Sequence, residues 1–148
     1  MHMTVLVPTL AVLAMAATPA AGQESKLLAR GTYLMDSIVA CVNCHVQRDR
    51  GKPLLERGLS GGMVFDEEPF KAYAPNITPD PETGIGKWSD AQLIKAIREG
   101  IRPDGSVIGP PMAYGWYKNI NDLDMKALVA YLRSLKPQPF GGQGAAAK

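Results

Sequence analysis

Cys41-Val42-Asn43-Cys44-His45 is the stretch that decides how this chain folds. It holds both cysteines of the 148-residue sequence, three positions apart, and one of its two histidines directly after the second. A structural zinc site needs four ligands, and beyond its first residues the chain offers two Cys and one His. A thioredoxin-like redox pair belongs in a βαβ setting, and none surrounds this one. A small structural disulfide would use the thiols and leave His45 without a role. The reading that uses all three is C-x-x-C-H, the pattern of covalent c-type haem attachment. On one helical turn the two thiols can reach the two vinyl groups of one porphyrin edge, and the histidine is then aimed at the iron. Its other ring nitrogen needs a carbonyl to fix the tautomer.

Composition agrees with a centre of this kind. Fifteen glycines and twelve prolines make up about 18% of the chain, against about 12% on average. So many turn residues, with only three Phe, call for something besides secondary structure to pack on. A large flat apolar group supplies it. The length is one domain's worth, and 46% hydrophobic residues exclude wholesale disorder. A formal net charge of +2 carries no electrostatic footprint for nucleic acid.

Residues 4–21 are uncharged and dominated by Val, Leu, Ala and Met. The run is too short to span a bilayer, which takes about 20 apolar residues, and it ends in Thr18-Pro19-Ala20-Ala21-Gly22. Small residues there suit a signal peptidase. The expected organisation is a signal peptide over 1–22, one domain over 23–140 and a flexible tail over 141–148. No transmembrane span is expected.

Within that domain the pattern predicts three main helices and long loops, all-α, with no convincing strand. Residues 26–45 read as the first helix, with Leu27, Gly31, Leu34, Ile38, Cys41 and His45 on one face. Gly31 is tolerable there if another helix crosses at close range. Residues 47–76 read as loop. Ser89 followed by Gln92 forms a capping box for a second helix that Gly100 stops. Residues 101–115 form another loop, and a last helix starts near Asn121 or Asp122, buries Leu128, Tyr131, Leu132 and Leu135, and is ended by Pro137.

The opposite face of the iron needs its own ligand. His2, Met1, Met3 and Met15 lie in the export segment, Met35 shares the helix of His45, and Met125 reads as packing in the last helix. Two methionines remain, Met63 after Gly61-Gly62 and Met112 after Pro110-Pro111. Met112 is favoured, because a proline-stiffened loop sixty-seven residues beyond His45 is what wrapping a haem requires.

The chain resembles the class I cytochromes c, and more narrowly the single-haem modules of the cytochrome subunits of bacterial alcohol, aldehyde and sugar-acid dehydrogenases. The resemblance rests on Arg30-Gly31-Thr32-Tyr33-Leu34, Gly51-Lys52-Pro53-Leu54 and Ala74-Pro75-Asn76-Ile77-Thr78-Pro79-Asp80. It continues through Thr83-Gly84-Ile85-Gly86-Lys87-Trp88-Ser89-Asp90, Arg98-Glu99-Gly100, Pro110-Pro111-Met112-Ala113-Tyr114 and Ala127-Leu128-Val129-Ala130-Tyr131-Leu132. It implies one haem c bound covalently through Cys41 and Cys44, with His45 and Met112 as axial ligands. It implies further that the Pro53 carbonyl meets His45, that Gly31 marks the crossing of the first and last helices, and that Trp88 and the loop 76–86 lie near the haem propionates. Two departures stand out: such subunits often carry three haem modules where this chain has one motif, and Ala113 stands where proline is common.

The expected function is a periplasmic electron carrier. Its donor would be a periplasmic or membrane-associated dehydrogenase, and its acceptor an oxidase or another cytochrome. The rival is a haem enzyme, or a dedicated subunit of a catalytic complex, with an exchangeable sixth ligand.

Overall fold

A computed structural model of the chain describes residues 19–141. Of the expected export segment only positions 19–22 fall among them, and of the expected tail only Gly141; the rest of both lies outside the described residues. The chain runs through α1 (Pro19–Leu34), a π-helical turn (Met35–Val39), α2 (Val42–His45), strands β1 (Arg48–Asp49) and β2 (Lys52–Pro53), and a 3-10 turn (Leu55–Arg57). Strands β3 (Val64–Glu67) and β4 (Phe70–Tyr73) follow, then α3 (Asp90–Glu99), α4 (Tyr114–Tyr117) and α5 (Asp122–Ser134).

The three expected main helices are α1, α3 and α5. Gly31 lets the first and last meet: a Cβ at that position would lie 2.1 Å from the Ala127 carbonyl oxygen. Next to this crossing Arg30 donates to both carboxylate oxygens of Asp124, at 2.7 and 3.1 Å. The core gathers beneath it around Met35, Met125 and Leu128, each no more than 2% exposed. Burying one such side chain is worth about 1.5–3 kcal/mol. The starts of α3 and α5 follow the sequence. Ser89 Oγ accepts from the Gln92 amide while Gln92 returns a bond to the Ser89 amide, Gly100 ends α3 in the left-handed region, and Asn121 Oδ1 accepts from the Asp124 amide.

The expected first helix over 26–45 is not continuous. Its α-helical part opens at Pro19 and stops at Leu34; a π-turn follows, and Ala40 (φ 48°, ψ 42°) turns the chain before α2. The apolar stripe misleads here because Ile38 points outward, 65% exposed, and one inserted residue in a π-turn shifts every later side chain around the axis.

The expectation of no strand also fails. Strands β1 and β2 pair antiparallel across Arg50 and Gly51, both at positive φ, the backbone of a tight two-residue hairpin. Strands β3 and β4 form a second hairpin in the register Val64 to Tyr73 through Glu67 to Phe70. Each strand is at most four residues long and largely exposed, so no clean alternation marks it. Among the described residues no helix is long and apolar enough to cross a membrane.

Candidate functional site

The break at Ala40 makes Cys41 to His45 a separate turn. The amides of Cys44 and His45 both donate to the Cys41 carbonyl, at 3.2 and 2.9 Å, so the two sulfur-bearing residues and the histidine are carried by one rigid unit. Both cysteines are unpaired and half-buried. Burial pushes the Cys41 thiol up to about 11, which keeps it protonated at neutral pH.

His45 is buried, 6% exposed. Its Nδ1–H donates to the Pro75 carbonyl at 2.8 Å, and its own carbonyl accepts from the Gly61 amide at 2.8 Å. Burial draws the imidazole below its ordinary value, and the bond to Pro75 opposes that only in part. A neutral ring with Nδ1 engaged presents its lone pair at Nε2, the form in which histidine binds a metal. Two thiols and such an imidazole on one turn fit a covalently attached haem.

Pro53, among the remaining expected site residues, is a correction: it pairs with Arg48 in the β1–β2 hairpin, and the carbonyl on His45 belongs to Pro75. The hairpin folds residues 48–53 back on themselves, which leaves the His45 ring to the segment that follows β4. Trp88 is half-buried against the core, and its carbonyl accepts from Arg133, which also donates to the Ile85 carbonyl and to Asp90, at 3.1 and 3.0 Å. It acts there as an anchor between the α3 entry and α5. Met112 is half-buried, two residues before α4. The α4 residue Tyr117 donates its hydroxyl to the Val39 carbonyl at 3.1 Å, and its phenol is raised first by burial and then by Cys41 and Cys44 nearby. The Met112 loop is thereby tied to the chain just ahead of the motif. Met63 is also half-buried, and its carbonyl accepts from the Ala74 amide at 2.8 Å.

Pro75, Gly61 and Tyr117 are the contributors that sequence reasoning missed. Pro75 and Gly61 act through main-chain atoms, which leave no mark in a sequence; Tyr117 had a visible phenol but no spacing that pointed to Val39.

Comparisons with known proteins give the family. The cytochrome c family model matches residues 28–136. The cytochrome c subunit of the quinone-dependent alcohol dehydrogenase of Gluconacetobacter polyoxogenes is 37% identical over 129 residues, 86% of this chain and 26% of that protein. The gluconate 2-dehydrogenase cytochrome c subunit of Pantoea cypripedii is 36% identical over 131 residues, 88% of this chain and 28% of that protein. A nicotinate dehydrogenase subunit of Pseudomonas putida is 51% identical over 78 residues, 53% of this chain but only 7% of that protein. The chain therefore spans about a quarter, or less, of the length of these relatives. With the family model covering most of the described residues and both thiols, the imidazole and its carbonyl partner in position, the chain belongs to the cytochrome c family.

Proposed function

We propose that this chain is a class I, single-haem cytochrome that carries electrons in the periplasm, with residues 1–22 as its export signal, 23–140 as its domain and 141–148 as a tail whose first residue, Gly141, is bonded to Ser60 of the domain. Cys41 and Cys44 hold the haem covalently, and His45 and Met112 ligate its iron. When bound, haem c supplies an iron couple that exchanges one electron at a time. The chain's own work is to orient His45 through Pro75, to bury that ligand away from water, and to hold a thioether donor that favours the reduced metal.

The observation that carries this reading is the His45 Nδ1 to Pro75 contact on the same turn as two unpaired thiols. Two hydrogen bonds favour Met112 over Met63. Met63 is bonded to Ala74, the neighbour of the carbonyl on the Nδ1 side of the ring, whereas iron would sit on the Nε2 side. Met112 precedes the helix that Tyr117 fixes to Val39.

The named relatives are subunits of dehydrogenases, which supports a dehydrogenase as electron donor; an oxidase or another cytochrome would accept. The test is expression in a haem-attaching host, followed by haem quantitation and a potentiometric titration. One covalent haem per chain and a one-electron curve are expected; a chain that emerges without covalent haem contradicts the reading.

A further inference from the structure

We propose, resting on the haem-carrier reading above, that residues 138–141, the segment after α5, are a strap that positions His45 as a ligand. His45 is held twice, by its ring at the Pro75 carbonyl and by its own carbonyl at the Gly61 amide. These two contacts come from the two segments that flank the β3–β4 hairpin. The segments also bond to each other, from the Gly62 amide to the Ala74 carbonyl at 2.9 Å and from the Ile77 amide to the Leu59 carbonyl at 3.0 Å, and the residue beside each contact is gripped by the strap.

On the first loop the grip is Asn76, 3% exposed. Its Nδ2 donates to the Gln138 carbonyl at 2.6 Å and to Thr83 Oγ1 at 3.0 Å. Its Oδ1 accepts from the Thr78 amide at 2.9 Å and from the Thr78 hydroxyl at 2.8 Å. Every donor and lone pair of this side-chain amide is thus engaged. The strap answers with the Gln138 amide on Thr78 Oγ1 at 3.1 Å and the Phe140 amide on Thr83 Oγ1 at 3.0 Å. On the second loop the Gly141 amide donates to the Ser60 carbonyl at 2.9 Å, one residue from Gly61.

One short segment therefore adds a further tie across the two segments that fix His45, and it does so with main-chain atoms. Partners that hold the free N–H of a ligating histidine fix the ring and raise its basicity, and their loss costs about 10–100-fold in metal affinity or activity. A strap that fixes the position of the Pro75 carbonyl acts one step further out, through Pro75.

The test uses the haem-loaded full chain and two readouts, the solvent-exchange rate of the His45 Nδ1 proton by NMR and the reduction potential. Thr83→Val removes the hydroxyl shared by Asn76 and Phe140, while Thr83→Ser keeps it. Gly141→Ala presses on the second loop, because its Cβ would stand 2.7 Å from Ser60 Oγ and 2.9 Å from the Gly61 carbonyl oxygen. Gln138→Ala is the control, since the strap uses that residue's backbone. In Thr83→Val and Gly141→Ala the proton is expected to exchange faster than in the native chain. The potential is expected to rise, because a loosened imidazole donates less to ferric iron. Thr83→Ser and Gln138→Ala are expected to match the native chain.

Native exchange and native potential in both altered chains would overturn the strap. If Thr83→Val does not fold, Gly141→Ala decides by the same two readouts. A native chain lacking covalent haem would defeat the carrier reading instead, and proton exchange in that haem-free chain then decides the strap.

Discussion

His45 Nδ1 and the carbonyl oxygen of Pro75 stand 2.8 Å apart across thirty residues of sequence. The contact assigns the tautomer, because only a protonated Nδ1 can donate to a carbonyl. Side-chain 15N spectra of His45 in the haem-free chain are expected to show Nδ1 as the protonated nitrogen and Nε2 as the bare one. The reverse pattern would remove the reason for expecting Nε2 to face a metal.

Met112 and Met63 are separable by substitution. With Met112→Ala, the ferrous haem-loaded protein is expected to bind carbon monoxide readily, with a clear change in its optical spectrum. Met63→Ala is expected to leave the spectrum native. Interchanged results would move the sixth ligand to the β3 side of the molecule.

The crossing of α1 and α5 leaves no room for a side chain at position 31. Gly31→Ala puts a Cβ 2.1 Å from the Ala127 carbonyl oxygen, a backbone atom that cannot swing aside. Overpacking of this kind costs about 1–3 kcal/mol, to be read as a lower urea midpoint. The gain in helix propensity from the same change, about 1 kcal/mol, cancels the lower end of that range and leaves a net loss over the rest; a higher midpoint would mean that the helices can separate there without cost.

Acid stability should depend on Asp80. Its carboxylate accepts from the Thr83 amide at 2.7 Å and the Thr83 hydroxyl at 2.9 Å, and these bonds, the amide first, hold it below the ordinary 3.8. Between the two values the unfolded chain binds more protons than the folded one. The contribution is therefore complete above pH 3.8 and is lost as pH falls through the depressed folded value. Asp80→Asn is expected to flatten the acid limb of a stability–pH curve while leaving its slope above pH 5 unchanged; an identical acid limb would show that the Asp80 loop opens before the rest of the chain unfolds.

How much of this could be read from the sequence depended on what kind of atom makes each contact. The capping box at Ser89, the stop at Gly100 and the cap at Asn121 use side chains at fixed offsets, and each formed as its spacing indicates. Gly31 was legible because a glycine on a helix face has few uses other than close approach. The break at Ala40 was not, since alanine is a good helix former and nothing in its neighbours signals a left-handed turn. The two hairpins escaped because their strands are short and exposed, without a buried face to set a period of two. In the site, the thiols and the imidazole were legible as residue types. The acceptor on His45 was not, because every residue has a carbonyl; the resemblance implied Pro53, and the contact is made by Pro75.

If His45 and Met112 fill both axial positions, as proposed, the iron passes electrons without binding substrate. The most direct test is the optical spectrum of the native haem-loaded protein, oxidised and reduced, before and after carbon monoxide. A low-spin spectrum that the gas does not alter is expected. A large shift on adding the gas would mean an open or exchangeable sixth position, and would point instead to catalysis or sensing at the iron.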